Sequence, residues 1–169
     1  MRILGIDPGL QHTGWGVIDV DGNRLTHRAN GTIHSTAKLS LAERLVEIHN
    51  GLETIIALWQ PEQAAVEETF VNRNPASALK LGQARGVALM TPSACGIPVA
   101  EYAANLVKKS VVGTGHADKK QIQMMINVLL PGVTLSSADS ADALAVAICH
   151  SHHAATNARL SHLTLEGLS

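Results

Sequence analysis

The chain has 169 residues, a formal net charge of −1 at pH 7 and 46% hydrophobic residues. That length favours a single domain with room for a substantial core. No apolar run reaches the roughly 18 residues a helical membrane span needs, so a membrane helix is excluded. Aromatic residues make up only 2% (Trp15, Trp59, Phe70 and Tyr102), so the core must be built from Ala, Val, Leu and Ile.

The near-neutral balance alone argues against nucleic acid as a partner, but its distribution points the other way. Residues 71–120 carry seven basic and two acidic residues, while the remainder carries six basic and twelve acidic ones. A basic middle of this kind suits a phosphate-binding face, as well as solvated helix faces. The N-terminus enters a strand with no basic segment and apolar stretch before it, so no signal peptide is expected. Cys95 and Cys149 read as small core residues in a reducing cytosol, which places the protein in the cytoplasm.

Arg2 to Ile6 is an apolar run without alternation, as in a central strand buried on both faces. It ends at Asp7, and Pro8-Gly9 forces a turn. An Asp at the end of a buried strand either caps the turn or binds a cation. Thr13–Val20 and Arg24–Ile33 read as two further strands joined by a hairpin at Asp21-Gly22. Leu41, Leu45, Ile48, Leu52, Ile55, Ile56 and Trp59 follow helical spacing, with Ser40 as N-cap and Pro61 as stop. Gln63–Glu67 is then a short strand, and the helix before it suits a crossover giving at least one parallel neighbour.

Asn72-Arg73-Asn74-Pro75 is a polar loop. Ala76 to about Met90 is a helix rich in Ala and Gly, with small residues spaced for close helix approach, within the chain or between subunits. Ile97–Ala100 is a brief strand, followed by a helix through Lys109 and a Gly-bearing loop at 111–115. Asp118–Leu130 is helical, and Ser137 caps a last helix from Ala138 to about His152. His150, His152 and His153 read as solvated surface, with spacing that allows only weak metal binding. Residues 154–169 have weak periodicity and form a tail that is a candidate for disorder.

Three further acids join Asp7. Glu67 ends the short strand and can lie beside Asp7 if the two strands are neighbours. Asp139 and Asp142, at i and i+3, share one face at the start of the last helix. The helix dipole accounts for one acid there but less well for two beside an apolar face. Carboxylates gathered in one cleft repel unless a cation neutralises them, and oxygen-only ligands point to Mg²⁺ or Mn²⁺. A pair of such ions suits hydrolysis of a phosphodiester.

These residues resemble the RuvC family of Holliday-junction resolvases. The likeness runs in order through Gly-Ile-Asp-Pro-Gly at 5–9, Thr-Gly-Trp-Gly-Val at 13–17, Val-Glu-Glu-Thr-Phe at 66–70, Ser-Ala-Leu-Lys-Leu-Gly-Gln-Ala-Arg-Gly at 77–86, Val-Val-Gly-Thr-Gly at 111–115 and Ala-Asp-Ser-Ala-Asp-Ala-Leu-Ala at 138–145. The resemblance implies an α/β, RNase H-like fold over residues 1–153, a mixed five-stranded sheet with helices on both faces. It implies a homodimer that makes paired, symmetric nicks in four-way DNA junctions, leaving 5′-phosphate ends, in recombination and repair. Asp7, Glu67, Asp139 and Asp142 match the family's catalytic, metal-binding acids, holding Mg²⁺ (or Mn²⁺), two ions per site. Lys108 and Lys119 match lysines near the scissile phosphate, and Phe70 an aromatic that meets bases at the junction centre. Arg73 and Lys80, in the basic middle, are further candidate DNA contacts. The 76–90 helix falls where the family dimerises, and a branch-migration complex of RuvA and RuvB proteins is an implied partner. Glu68, next to Glu67, stands where relatives often have Gln; alternation along the strand allows only one of the two to join Asp7.

Two other readings compete. Asp-Pro-Gly followed by Thr-Gly-Trp-Gly also looks like the first phosphate loop of actin-like ATPases and sugar kinases. Those build their site between two such domains, and they leave Glu67, Asp139 and Asp142 without a role. A catalytically inactive junction-binding module is the second, and intact acids at four positions argue against it.

Overall fold

The computed structural model describes residues 1–68 and 74–166, with side chains through residue 154. Phe70 and Arg73 lie outside the described residues. β1 (Arg2–Asp7) is the middle strand of a five-stranded sheet of order β3-β2-β1-β4-β5. β2 (His12–Asp21) runs antiparallel to β1 and, through the turn at Gly22 (φ +57°), to β3 (Arg24–His34). A left-handed backbone suits glycine there, because it has no Cβ to clash. α1 (Leu41–Trp59) then crosses over to β4 (Gln63–Glu68), which lies parallel to β1. The helix starts in a reciprocal cap: the Glu43 amide donates to the Ser40 side chain and the Ser40 amide donates to the Glu43 carboxylate. It stops at Gln60 (φ 47°), one residue before Pro61. α2 (Pro75–Ala94) leads to β5 (Val99–Ala103), parallel to β4, and α3 (Ala104–Val112), α4 (Lys119–Leu129) and α5 (Ala138–Glu166) follow. This is the mixed five-stranded sheet with helices on both faces that the family resemblance implies.

β1 is apolar without alternation because it is covered on both sides. Leu4, Ile6, Val17, Ala64 and Val66 pack against Ile48, Leu52, Ile55 and Ile56 of α1 and Ala84 and Ala88 of α2. Ile3, Ile18 and Ala65 face the other way, against Leu144 and Ile148 of α5, with Val107, Val111, Ile122 and Ile126 closing that layer. Burying side chains of this size is worth about 1.5–3 kcal/mol each, so an aliphatic core of this size needs no aromatic centre.

Local sequence signals misplace several boundaries. α2 runs past Met90 through Pro92, and its end is closed by the Cys95 amide donating to Thr91 and Pro92 carbonyls. β5 begins after Pro98, which has no amide to donate, so the strand lies later than Ile97–Ala100. Val111 and Val112 belong to α3 rather than to a loop: Val111 is buried, and packing outweighs weak β-branched propensity. α5 continues beyond His152 to Glu166.

Two side-chain expectations are corrected. Cys95 is exposed, because it stands at the end of α2 rather than on its buried face; Cys149 is buried. His150 is not solvated surface but buried, its Nδ1 2.8 Å from the Tyr102 hydroxyl and its Nε2 2.7 Å from Gln63 Oε1. Gln63 Oε1 can only accept, so Nε2 carries the proton and Nδ1 accepts from Tyr102. No helix among the described residues is long and apolar enough to cross a membrane.

Candidate active site at the carboxyl end of the sheet

Asp7 and Glu67 sit at the carboxyl ends of two adjacent parallel strands, one register step beyond the Ile6–Val66 pair. Asp139 and Asp142 arrive from the first turns of α5, which lies across the same end. Three glycines make this approach possible. Gly5 pairs with Gly16 across β1 and β2, and Gly14 pairs with Asp7. A Cβ on Gly5 would overlap the Ala143 carbonyl, one on Gly14 the Asp139 carbonyl, and one on Gly16 the Leu144 side chain. The bare strand surface thus seats the α5 backbone directly on the sheet and fixes Asp139 beside Asp7. Ser137 caps that helix by a reciprocal pair of 3.0 Å bonds with Ser140.

The turn after Asp7 is clamped. The Thr13 hydroxyl donates to the Gly9 carbonyl at 2.7 Å, and the Gly9 amide donates back to Thr13 Oγ1 at 3.4 Å. The Ser35 hydroxyl donates to the Leu10 carbonyl, while Arg44 Nε donates to Ser35 Oγ at 2.9 Å. Thr13 and Ser35 are buried, so the hydrogen bonds of this clamp are shielded from water.

The acids feel one another strongly. Burial first, then the charge of Glu67, the charge of Asp142 and a hydrogen bond with Glu67, pushes the Asp7 carboxyl up to about 8. Glu67 is raised mainly by burial and also by Asp142, against the hydrogen bond with Asp7 and the charges of Lys108 and Lys119. Asp142 is raised by burial, opposed by Lys119, raised further by Asp139 and lowered by Lys108. Without a cation Asp7, raised the furthest, keeps its proton near neutral pH and donates it in a hydrogen bond to Glu67. Among the described residues no three His, Cys, Asp or Glu side chains stand close enough to enclose one ion as placed. The donor set itself, carboxylate oxygens whose mutual repulsion a positive charge would relieve, fits a hard divalent cation.

A cleft of about 450 Å³ opens beside the acids, lined by Glu67, Asp142, Lys108, Lys119, Asp118 and Ile122 among others. Lys119 Nζ lies 3.9 Å from Asp142 Oδ2 and is largely exposed, so it is free to swing toward an incoming anion. The structure thus brings together Asp7, Glu67, Asp139, Asp142, Lys108 and Lys119. Lys80 stands apart from the two lysines, on α2. Glu68, the next residue along β4, alternates to the opposite face of the strand from Glu67. A larger groove of about 640 Å³ lies at the opposite end of β1. There Arg2 and Arg28 close on Asp19 at 2.7 and 2.6 Å, and the hydrogen bond from Arg2 holds its carboxyl down to about 2; that groove is a satisfied ion network.

The seating glycines and the Thr13–Ser35–Arg44 clamp are the parts of the site that the motifs alone do not reveal. Glycines two apart on one strand face, with another directly across from them, are the signal that could have found the first.

Comparison with known proteins agrees with this fold. The family model of the crossover junction endodeoxyribonuclease RuvC matches residues 3–150. A crossover junction endodeoxyribonuclease RuvC of Paramagnetospirillum magneticum is 62% identical over 161 residues, 95% of this chain and 97% of that one. The structure of Thermus thermophilus RuvC superposes with a TM-score of 0.84 at 32% identity, covering 93% of this chain and 97% of that one. T. thermophilus RuvC in complex with a Holliday junction substrate gives 0.85 at 32% identity, covering 93% and 96%. Neither the ATPase reading nor the inactive-module reading is favoured by these likenesses. With an RNase H-like sheet, acids gathered at its carboxyl end and a family model spanning residues 3–150, the chain belongs to the RuvC family of crossover junction endodeoxyribonucleases.

Proposed function

We propose that the chain cuts four-way DNA junctions in paired, symmetric nicks, using Asp7, Glu67, Asp139 and Asp142 as one metal-binding set. The observation that carries this is the convergence of those acids, two strand ends and one helix start, beside Lys108 and Lys119. RuvC-family enzymes are metal-dependent nucleases; here the oxygen-only donors select Mg²⁺, with Mn²⁺ as a substitute, and four carboxylates suffice for two ions. When bound, the metal supplies Lewis acidity for water attack and for the departing 3′ oxygen. The chain's own residues do the rest. Asp7 and Glu67, in their ionised forms, would hold the cation at the ends of β1 and β4. Asp139 and Asp142 are held in register by the α5 backbone on Gly14. Lys119 turns from Asp142 toward the scissile phosphate, where its charge steadies the developing negative charge. Lys108, in the same cleft, pairs with the adjoining backbone. Phe70 stacks on unpaired bases at the junction centre, and Arg73 with Lys80 contacts the flanking phosphates.

Two symmetric nicks need two sites, and α2 supplies a surface for a homodimer. Ala84 and Ala88 bury against α1 and the sheet, while Gly82 and Gly86 have nothing within 4 Å of an added Cβ, and Leu79 and Met90 are exposed. A second α2 can approach closely along such a face. Residues 1–153 form the resolvase domain, beyond which α5 carries on to Glu166; RuvA and RuvB proteins are its partners in the cytoplasm. Incubation with a synthetic four-way junction and Mg²⁺, followed by mapping of both strands, tests the proposal. Paired nicks at symmetric positions are expected; cleavage of linear duplex at equal rates would overturn it.

A further inference from the structure

On the α1–α2 side of the sheet, at the same end as the acids, a groove of about 290 Å³ is lined by Leu10, Gln11, Arg44, Ser77, Lys80 and Leu81. Neither Arg44 nor Lys80 makes an ion pair among the described residues; the carboxylates nearest Arg44 in sequence are engaged elsewhere, Glu43 with Ser40 and Glu47 with Thr36. Arg44 is not a loose surface cation. Its Nε donates to Ser35 Oγ and its Nη2 to the Leu10 carbonyl at 3.4 Å, which aims the remaining guanidinium donors from a fixed place. The groove also adjoins the first turn of α2, where the helix dipole adds positive potential although Asn74 caps the Ala76 and Ser77 amides.

Position gives these cations a use. Leu10 is three residues beyond Asp7, at most about 10 Å of chain, so the groove opens just across the turn from the acids. Lys108 and Lys119 flank the acids from the α3–α4 side, and Arg44 and Lys80 from the other. A polyanion laid over the carboxyl end of the sheet meets positive charge on both banks of the acid cluster. Arg44 grips at once the Leu10 carbonyl and anything bound in the groove, so an occupant there also holds the loop that carries Asp7.

We propose that Arg44 and Lys80 form a second phosphate-binding subsite, taking the DNA backbone on the side of the acids opposite Lys108 and Lys119. The proposal rests on the nuclease reading for its substrate, but the interaction it predicts is with phosphate and needs no junction. Arg44 is thereby a DNA-binding residue as well as the positioning residue of the Asp7 turn.

The test is binding without divalent cation, in EDTA, of a labelled four-way junction and of a linear duplex, across 50–200 mM KCl. Removing one protein–phosphate ion pair lowers the slope of log affinity against log salt by about 0.9. Lys80→Gln and Arg44→Gln are each expected to do so on both DNAs, with affinity several-fold weaker at the lowest salt, while Arg44→Lys keeps the slope. Unchanged slope and affinity for Arg44→Gln, whatever its melting temperature, would overturn the subsite. If that variant does not fold, Lys80→Gln decides alone, since the Lys80 side chain makes no hydrogen bond or ion pair among the described residues: an unchanged slope overturns the proposal. A wild-type protein with no preference for the junction, yet with these slope changes on duplex, would contradict the resolvase reading and sustain the subsite.

Discussion

Asp7 pays for its position in stability. Its folded-state carboxyl is raised to about 8 from an ordinary 3.8, so between those values the folded chain binds a proton that the unfolded chain has released. Stability therefore falls as pH rises from about 4 to 8, and the loss is complete above the folded value. Asp7→Asn keeps the shape and removes the charge. Without metal at pH 8 the variant is expected to be more stable than the parent by about 2 kcal/mol or more, with the difference vanishing near pH 4. Thermal melts in EDTA at the two pH values check this; equal melting temperatures at pH 8 would mean the acids do not share one buried cleft. That Asp7, Glu67, Asp139 and Asp142 come together was legible in the motifs. The exposed Cys95 and the buried His150 were not, since both depend on which turn of a helix meets the sheet, and His150 is held by Gln63 from a distant strand.

Among the elements, the site is a consequence of how α5 seats on β1 and β2. Leu144 and Ile148 drive the helix onto the sheet, and Gly5, Gly14 and Gly16 set how close it comes. Gly14→Ala places a methyl in the Asp139 carbonyl, so the first turn of α5 must move. Overpacking of this kind costs about 1–3 kcal/mol, or several degrees of melting temperature in a chain of this size. The variant is also expected to lose most of the stabilisation by millimolar Mg²⁺, because Asp139 leaves the cluster; a melt with and without Mg²⁺ reads both effects. An undiminished Mg²⁺ response would detach Asp139 from that seat. Strand and helix order was readable from apolar periodicity and the Asp21-Gly22 hairpin. The true ends of α2, β5 and α3 were not, since Pro92, Pro98 and the Val111-Val112 pair look like breakers until tertiary packing is known.

The whole molecule joins an acid-bearing sheet end, basic side chains on either side of it and, on α2, an exposed face proposed as the seat of a second copy. Leu79 on α2 is exposed in the single chain and lies on the face assigned to the homodimer. Leu79→Glu is expected to leave the fold intact, shift the protein to monomer in sedimentation, and turn paired nicks into single ones; an unaltered dimer would move the interface elsewhere. In the proposed division of labour the acids do the chemistry while other groups hold the DNA. Asp139→Asn separates the two roles when it is assayed for junction binding in EDTA and for cleavage in Mg²⁺. Cleavage is expected to slow by orders of magnitude with affinity kept or increased, since a negative charge facing phosphate is gone while every basic group remains. Near-normal nicking by the Asn variant would contradict that division.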